Sequence, residues 1–194
     1  MILENLKRKK IILASQSPRR QELLKGVGVD YQVFVKEDID ESFDREMPFQ
    51  QVAEYLAIKK ARAYADLITE ETILITADTV VCTDSEILNK PADFDEARYM
   101  LRQLSGRKHS VITGVCIKSI DKEKAFSSKS IVYFADLSQS EIDYYITHYK
   151  PFDKAGAYGI QEWIGYIGIE KIEGSFYNVM GLPIQMVYNE LKEF

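Results

Sequence analysis

The sequence predicts an α/β or α+β fold around a mixed β-sheet, and three observations carry that expectation. Thr72–Cys82 is almost continuously apolar and β-branched, the signature of a strand covered on both faces. Helical segments with recognisable caps alternate with such runs, and a late pair of strand-like runs reads as a hairpin. No regular strand–helix–strand rhythm and no internal repeat of solenoid period runs through the chain. With 194 residues, 46% of them hydrophobic, the chain is long enough to bury a core without disulfides or structural metal, as a single domain over 1–194.

In chain order, Lys10–Ala14 is the first expected strand. Ser17 to Leu24 follows as a helix, with Ser17 as N-cap and Pro18 at the first helical position. A second helix is expected from about Pro48 to Leu67, where Val52, Leu56 and Ala63 share one face. After the Thr72–Cys82 strand, Thr83–Glu86 is turn-like and leads through Ile87 and Leu88 into the Asn89-Lys90-Pro91 corner. Asp93–Leu104 has Asp93 as a cap, Glu96 in capping-box position and Gly106 after its last turn. Strands at about His109–Lys118 and Ala125–Asp136 form the expected hairpin. Ser138 then starts a helix that ends before Pro151, a strand falls near Ile164–Lys171, and a helix follows Pro183.

Charge and composition exclude several function classes. A net charge of −5 and a pI near 5.2 argue against stable binding of long nucleic acid, which rests on many Lys and Arg contacts to phosphates. A small anion needs only a local basic pocket. The first residues lack the apolar stretch of a secretory signal and no apolar run is long enough for a membrane span, so a cytoplasmic protein without membrane partners is expected. Cys82 and Cys116 lie in apolar runs, far apart, and read as buried reduced thiols.

Five features carry chemistry. In Ala14-Ser15-Gln16-Ser17-Pro18-Arg19-Arg20, backbone donors at a helix start, small hydroxyls and two guanidinium groups converge, which suits phosphate; a capped helix with two solvated arginines has the same sequence. Asp78 lies inside an apolar strand, where an ionised carboxylate needs a cation, hydrogen bonds or a metal. Lys59 and Lys60 flank the apolar helix face, and periodicity does not choose between them; Lys90 adds a third cation. The acidic run Glu37-Asp38-Ile39-Asp40-Glu41 offers oxygen ligands for a divalent cation, or is a solvated loop. Asp153–Gln161 and Gly174–Pro183 mix small, polar and aromatic residues, as where backbone approaches a flat ligand. His109 and His148 receive no role.

Taken in order, Leu13-Ala-Ser-Gln-Ser-Pro-Arg-Arg20, Leu56-Ala-Ile-Lys-Lys-Ala-Arg62, Ala77-Asp-Thr79, Leu88-Asn-Lys-Pro91, Leu104-Ser-Gly106, Asp153-Lys-Ala-Gly-Ala-Tyr-Gly-Ile-Gln161 and Val179-Met-Gly-Leu-Pro183 closely resemble the Maf family of nucleoside triphosphate pyrophosphatases. The resemblance implies an elongated mixed sheet flanked by helices, in two lobes with a nucleotide cleft, shared with inosine triphosphate pyrophosphatases. It implies a divalent cation, Mg²⁺ or Mn²⁺, and a homodimer as a family-level expectation. By motif, Asp78 is the expected proton acceptor, Ser15, Arg20, Lys60 and Lys90 hold the triphosphate, and Glu41 binds metal with Asp78. Arg19, Thr79 and Gln161 match the branch that prefers dTTP and UTP, over a branch specific for 7-methyl-GTP or an inosine-type activity. A septum-formation regulator that binds nucleotide without turnover is the reading from another class. One departure stands out: Gln161 is followed by Glu162-Trp163, where the family often has small residues.

Overall fold

The protein is described by a computed structural model covering residues 3–194. Its strands are β1 (Lys10–Leu13), β2 (Gln32–Val33), β3 (Thr72–Cys82), β4 (Ile87–Leu88), β5 (Lys108–Lys118), β6 (Glu123–Phe134) and β7 (Ile169–Glu173). Its α-helices are α1 (Pro18–Gly26), α2 (Phe49–Ala63), α3 (Phe94–Leu104), α4 (Gln139–Tyr149), α5 (Trp163–Gly168), α6 (Phe176–Val179) and α7 (Ile184–Leu191). The strands form one mixed sheet in the order β2-β1-β3-β5-β6-β7, with β4 paired to β3. β1 runs parallel to both β2 and β3, while β3–β4 and β6–β7 are antiparallel. Among the described residues no helix is long and apolar enough to cross a membrane.

The chain divides into two compact units. The first comprises the chain up to Asp78, Thr113–Ser128 and Gly181–Phe194. Its core gathers Ile12 and Ala14 from β1 and its end, Leu74 from β3, Cys116 from β5, and Ala57, Ala61 and Tyr64 from α2 and its C-cap. Small residues on α2 let the helix lie close to the sheet. At Gly114 a Cβ would stand 2.2 Å from the Ala53 carbonyl carbon, so that position of β5 has no room for a side chain. Buried Thr76 donates its hydroxyl to the Ala57 carbonyl at 2.7 Å, which satisfies a polar group in the core and fixes helix against strand. Asn5 Nδ2 donates to the Leu191 carbonyl at 2.8 Å, tying the start of the chain to α7.

The second unit comprises Thr79–Ile112 and Lys129–Met180. Asp93 caps α3 by accepting from Glu96 N at 2.9 Å, and Ser138 and Glu141 form a complete capping box on α4. At α3 the box is shifted, because Glu96 Oε2 accepts from Ala92 N rather than from the cap residue. Arg98 on α3 donates to Asp143 on α4 at 2.8 Å. A buried aromatic group fills the interior: the His109 ring stacks on Phe134 at 5.5 Å, and its Nε2 lies 2.8 Å from the Tyr158 hydroxyl.

The expected elements from β1 to α4 are present within a few residues, as is α7. The helix expected to run to Leu67 ends at Ala63 and continues as a 3-10 turn, Ala65–Leu67. The strand expected near Ile164–Lys171 is corrected more deeply: residues 163–168 are helical, and strand begins only at Ile169. Gly165 permits this turn, because a Cβ there would fall 1.8 Å from the Ile160 carbonyl oxygen and only glycine lets the turn pack on the preceding backbone. Both cysteines are buried free thiols, and desolvation pushes Cys82 up to about 11 and Cys116 up to about 12.

Candidate functional site

The first unit brings most of the expected residues together. β1 ends at Leu13 and the chain turns through buried Ser15 into α1, whose first residue is Pro18. Ser15 Oγ accepts from Ser17 N at 3.2 Å, and Ser17 Oγ in turn accepts from Arg20 N at 3.5 Å, so the loop and the helix start hold one another. Arg20 points back over this turn. Its Nε donates to the Gly181 carbonyl at 2.7 Å, and its Nη1 donates to the Ala77 carbonyl at 2.8 Å and to Ser15 Oγ at 3.4 Å. The guanidinium therefore links two backbone carbonyls, one of them beside Asp78, with the Ser15 hydroxyl. Burial draws the Arg20 pKa below its usual value; Asp78 opposes that shift, Arg19 adds to it, and Glu41 opposes it again.

Asp78 and Lys60 meet because two periodicities coincide. The Thr76–Ala57 bond registers β3 against α2; two residues on along the strand and three along the helix, Asp78 and Lys60 fall on the same side. Lys60 Nζ pairs with Asp78 Oδ1, both side chains being 14% exposed, and lies 3.0 Å from Glu41 Oε1. A cation thus stands between two carboxylates. Lys59 goes elsewhere: its ammonium is 2.7 Å from Asp40 Oδ2 and 2.7 Å from the Ser42 carbonyl. Those contacts, with the Ser42 hydroxyl and amide, hold the Asp40 carboxyl well below the usual carboxylate range. The structure thus separates two lysines that periodicity left equivalent.

The acidic run divides accordingly, with Asp40 serving the loop and Glu41 facing Lys60. Among the described residues no group of three or more His, Cys, Asp or Glu side chains forms a metal cage. Asp78 and Glu41 both face the Lys60 ammonium. Arg19 occupies the first turn of α1 next to Arg20.

Thr79, Lys90 and Gln161 belong to the second unit. Thr79 is partly buried in β3, directly after Asp78. Lys90 is exposed in the turn after β4, where the neighbouring Asn89 carbonyl accepts from Gly156 N at 3.1 Å. Gln161 ends the Asp153–Gln161 motif, and its Oε1 is buried without a hydrogen bond. Sequence reasoning missed the network beside it in the chain: Lys154, Glu162 and Tyr145 form a partly buried hydrogen-bonded ion cluster. The available signal was a lysine and a glutamate flanking a glycine-rich stretch, which names no partner for either.

A family model described as Maf-like protein matches residues 10–194. The chain is 55% identical to a dTTP/UTP pyrophosphatase of Porphyromonas gingivalis, covering 100% of this chain and 98% of that one. It is 54% identical to the protein of the same name from Parabacteroides distasonis, with 100% of both chains covered. A dTTP/UTP pyrophosphatase of Christiangramia forsetii is 45% identical, over 100% of this chain and 98% of that one. Among solved structures, a HAM1 protein from Coxiella burnetii matches with a TM-score of 0.51 at 13% identity, covering 96% of this chain and 100% of that one, a likeness of fold alone.

Proposed function

The chain belongs to the Maf family, and from that premise we propose that it hydrolyses dTTP and UTP to the nucleoside monophosphate and pyrophosphate. The chemical reading is carried by the Lys60 ammonium held between Asp78 and Glu41, beside the Ser15–Arg20 helix start. The substrate reading is supported by the names of relatives that share half or more of their residues with it over the whole chain. Those names favour pyrimidine nucleotides over 7-methyl-GTP or inosine-type triphosphates, and the intact acid–base cluster disfavours a regulator without turnover.

In this mechanism Lys60 and Arg20 neutralise phosphate charge, and Ser15 and the α1 amides hydrogen-bond phosphate oxygens, assisted by Lys90. Asp78 orients the attacking water and accepts its proton as the oxygen bonds to the α-phosphorus; the bond to the bridging oxygen breaks and pyrophosphate leaves. A divalent cation, held by Asp78 and Glu41, would lower the pKa of that water and offset charge on the leaving group. Arg19, Thr79 and Gln161 select the nucleotide. Work in the cytoplasm and as a homodimer completes the proposal.

The test is product analysis with dTTP, UTP, CTP, 7-methyl-GTP and ITP, with Mg²⁺ or Mn²⁺. Monophosphate and pyrophosphate from dTTP and UTP are expected. Diphosphate and phosphate would place attack at the γ-phosphorus and overturn the mechanism, and turnover chiefly of 7-methyl-GTP or ITP would overturn the substrate. Asp78→Asn is expected to lower kcat by roughly 100-fold or more at saturating metal, the usual scale for a positioned acid–base group. Lys60→Ala should be similarly impaired, while Lys59→Ala should stay near wild type.

A further inference from the structure

The segment that carries Gln161 adopts a backbone that a free chain would avoid. Gly156 has φ 69° and Ala157 φ 58°, two consecutive left-handed residues, the second buried and not glycine. A left-handed non-glycine residue is strained and persists only where its surroundings over-determine it. Here they do. Gly156 N donates to the Asn89 carbonyl at 3.1 Å, and Ala157 N donates to the Lys154 carbonyl at 3.1 Å. Gly159 N donates at 2.9 Å to the hydroxyl of Tyr145 on α4, and that hydroxyl donates to Glu162 Oε2. Glu162 Oε1 lies 3.2 Å from Lys154 Nζ, which also donates to Asp153 Oδ1 at 2.7 Å. The two ends of the segment, Lys154 and Glu162, are thus bound to each other, and Tyr145 joins its middle to its end. The Glu162 carboxylate packs directly over Gly159, where a Cβ would fall 2.8 Å from its carboxyl carbon.

A largely desolvated ion pair, with Lys154 buried and Glu162 partly buried, is an expensive way to gain stability, because desolvation consumes much of its attraction, and apolar packing would serve a plain scaffold as well. What such a network does supply is one fixed conformation. Gln161 is the residue next to Glu162 in the chain, and the Gln161 Oε1 is buried without a hydrogen bond. An amide in one orientation offers an acceptor beside a donor, the complement of the imide N–H and carbonyl of uracil and thymine. An amide free to move loses that match.

We propose that Tyr145, Glu162 and Lys154 are positioning residues for nucleotide recognition, locking the 155–161 segment so that the Gln161 amide is preorganised for the imide edge of the base. This rests on the reading of Gln161 as a nucleotide-selecting residue. Glu162, the departure from the family's small residue, thereby acquires a role that its sequence position alone did not suggest.

The experiment measures binding of the non-hydrolysable α,β-imido analogue of dUTP and of inorganic tripolyphosphate, by calorimetry, to wild type, Tyr145→Phe, Gln161→Ala and the double variant. Tyr145→Phe is expected to weaken the nucleotide analogue by roughly 5- to 10-fold, the scale of one lost hydrogen bond, and to leave tripolyphosphate within about 2-fold. The double variant should bind no worse than Gln161→Ala, because Tyr145 acts through Gln161. Equal weakening of both ligands, additive losses, or unchanged nucleotide binding would overturn the proposal. Should Tyr145→Phe not fold, Glu162→Gln carries the same comparison. Wild type that binds the analogue but hydrolyses neither dTTP nor UTP would sink the proposed reaction and leave this inference standing; wild type that binds no nucleotide would sink both.

Discussion

A charged residue in an apolar strand announces itself, and Asp78 was legible for that reason: desolvation obliges the chain to provide a partner, and the partner proved to be Lys60. The partner's identity was not legible, because Lys59 and Lys60 both flank the helix face and only the seating of α2 on β3 separates them. His109 shows the opposite case, a titratable residue with no reason in the sequence to stand out. It is buried against Phe134 and Tyr158, and desolvation lowers its pKa to about 3. An unfolded histidine titrates near 6.5, so as pH falls through about 6.5 the unfolded chain gains a proton that the folded chain refuses. His109 therefore costs nothing above that pH and erodes stability between about 6.5 and 3, with a slope of up to about 1.4 kcal/mol per pH unit. Urea unfolding between roughly pH 5 and 6.5, above the carboxylate range, should show this slope in wild type and a shallower one in His109→Gln. Equal slopes would mean that the buried imidazole is not the source.

Elements were legible where caps and periodicity agreed, as at α3 and α4, and illegible where tertiary contact decided. Ile164-Gly165-Tyr166-Ile167-Gly168 reads as strand by composition, yet it is helical, and that turn packs so closely on the Ile160 backbone that position 165 has no room for a Cβ. β2 and α6 were missed because two and four residues carry too little pattern to recognise. α2 is where element packing bears most directly on chemistry, since its seating delivers Lys60 to Asp78. Gly114 on β5 permits that seating, with Ala53 backbone 2.2 Å from where a Cβ would stand. Gly114→Ala must move the helix or distort the strand, and overpacking of this kind costs about 1–3 kcal/mol or more. The expected result is a Tm lower by several degrees together with a fall in kcat larger than the lost folded fraction, because Lys60 moves with its helix. A lower Tm with unchanged kcat per folded molecule would show that α2 absorbs the methyl group without shifting its lysine.

At the scale of the whole molecule, the chain crosses from one unit to the other at Asp78–Thr79, Ile112–Thr113, Ser128–Lys129 and Met180–Gly181. This interleaving was not legible: each half of the sequence contributes to both units, and no composition shift or linker marks a crossing. The consequence is that neither unit is a contiguous piece of chain, and the last segment is as much part of the first unit as β1 is. Gly181 supplies the carbonyl that accepts from Arg20 Nε, and α7 buries Ile184, Val187 and Leu191. Burying three such side chains contributes about 5–8 kcal/mol, comparable with the net stability of about 5–15 kcal/mol that a domain of this size has to lose. A chain stopped after Met180 keeps Asp78, Lys60 and Arg20 in its sequence but removes both the covering of the first unit and the acceptor that aims the guanidinium. It should therefore lose cooperative thermal unfolding by circular dichroism and bind no nucleotide analogue. If it instead melted cooperatively near the wild-type temperature, the tail would be an accessory, and Arg20 would hold its place without the Gly181 carbonyl.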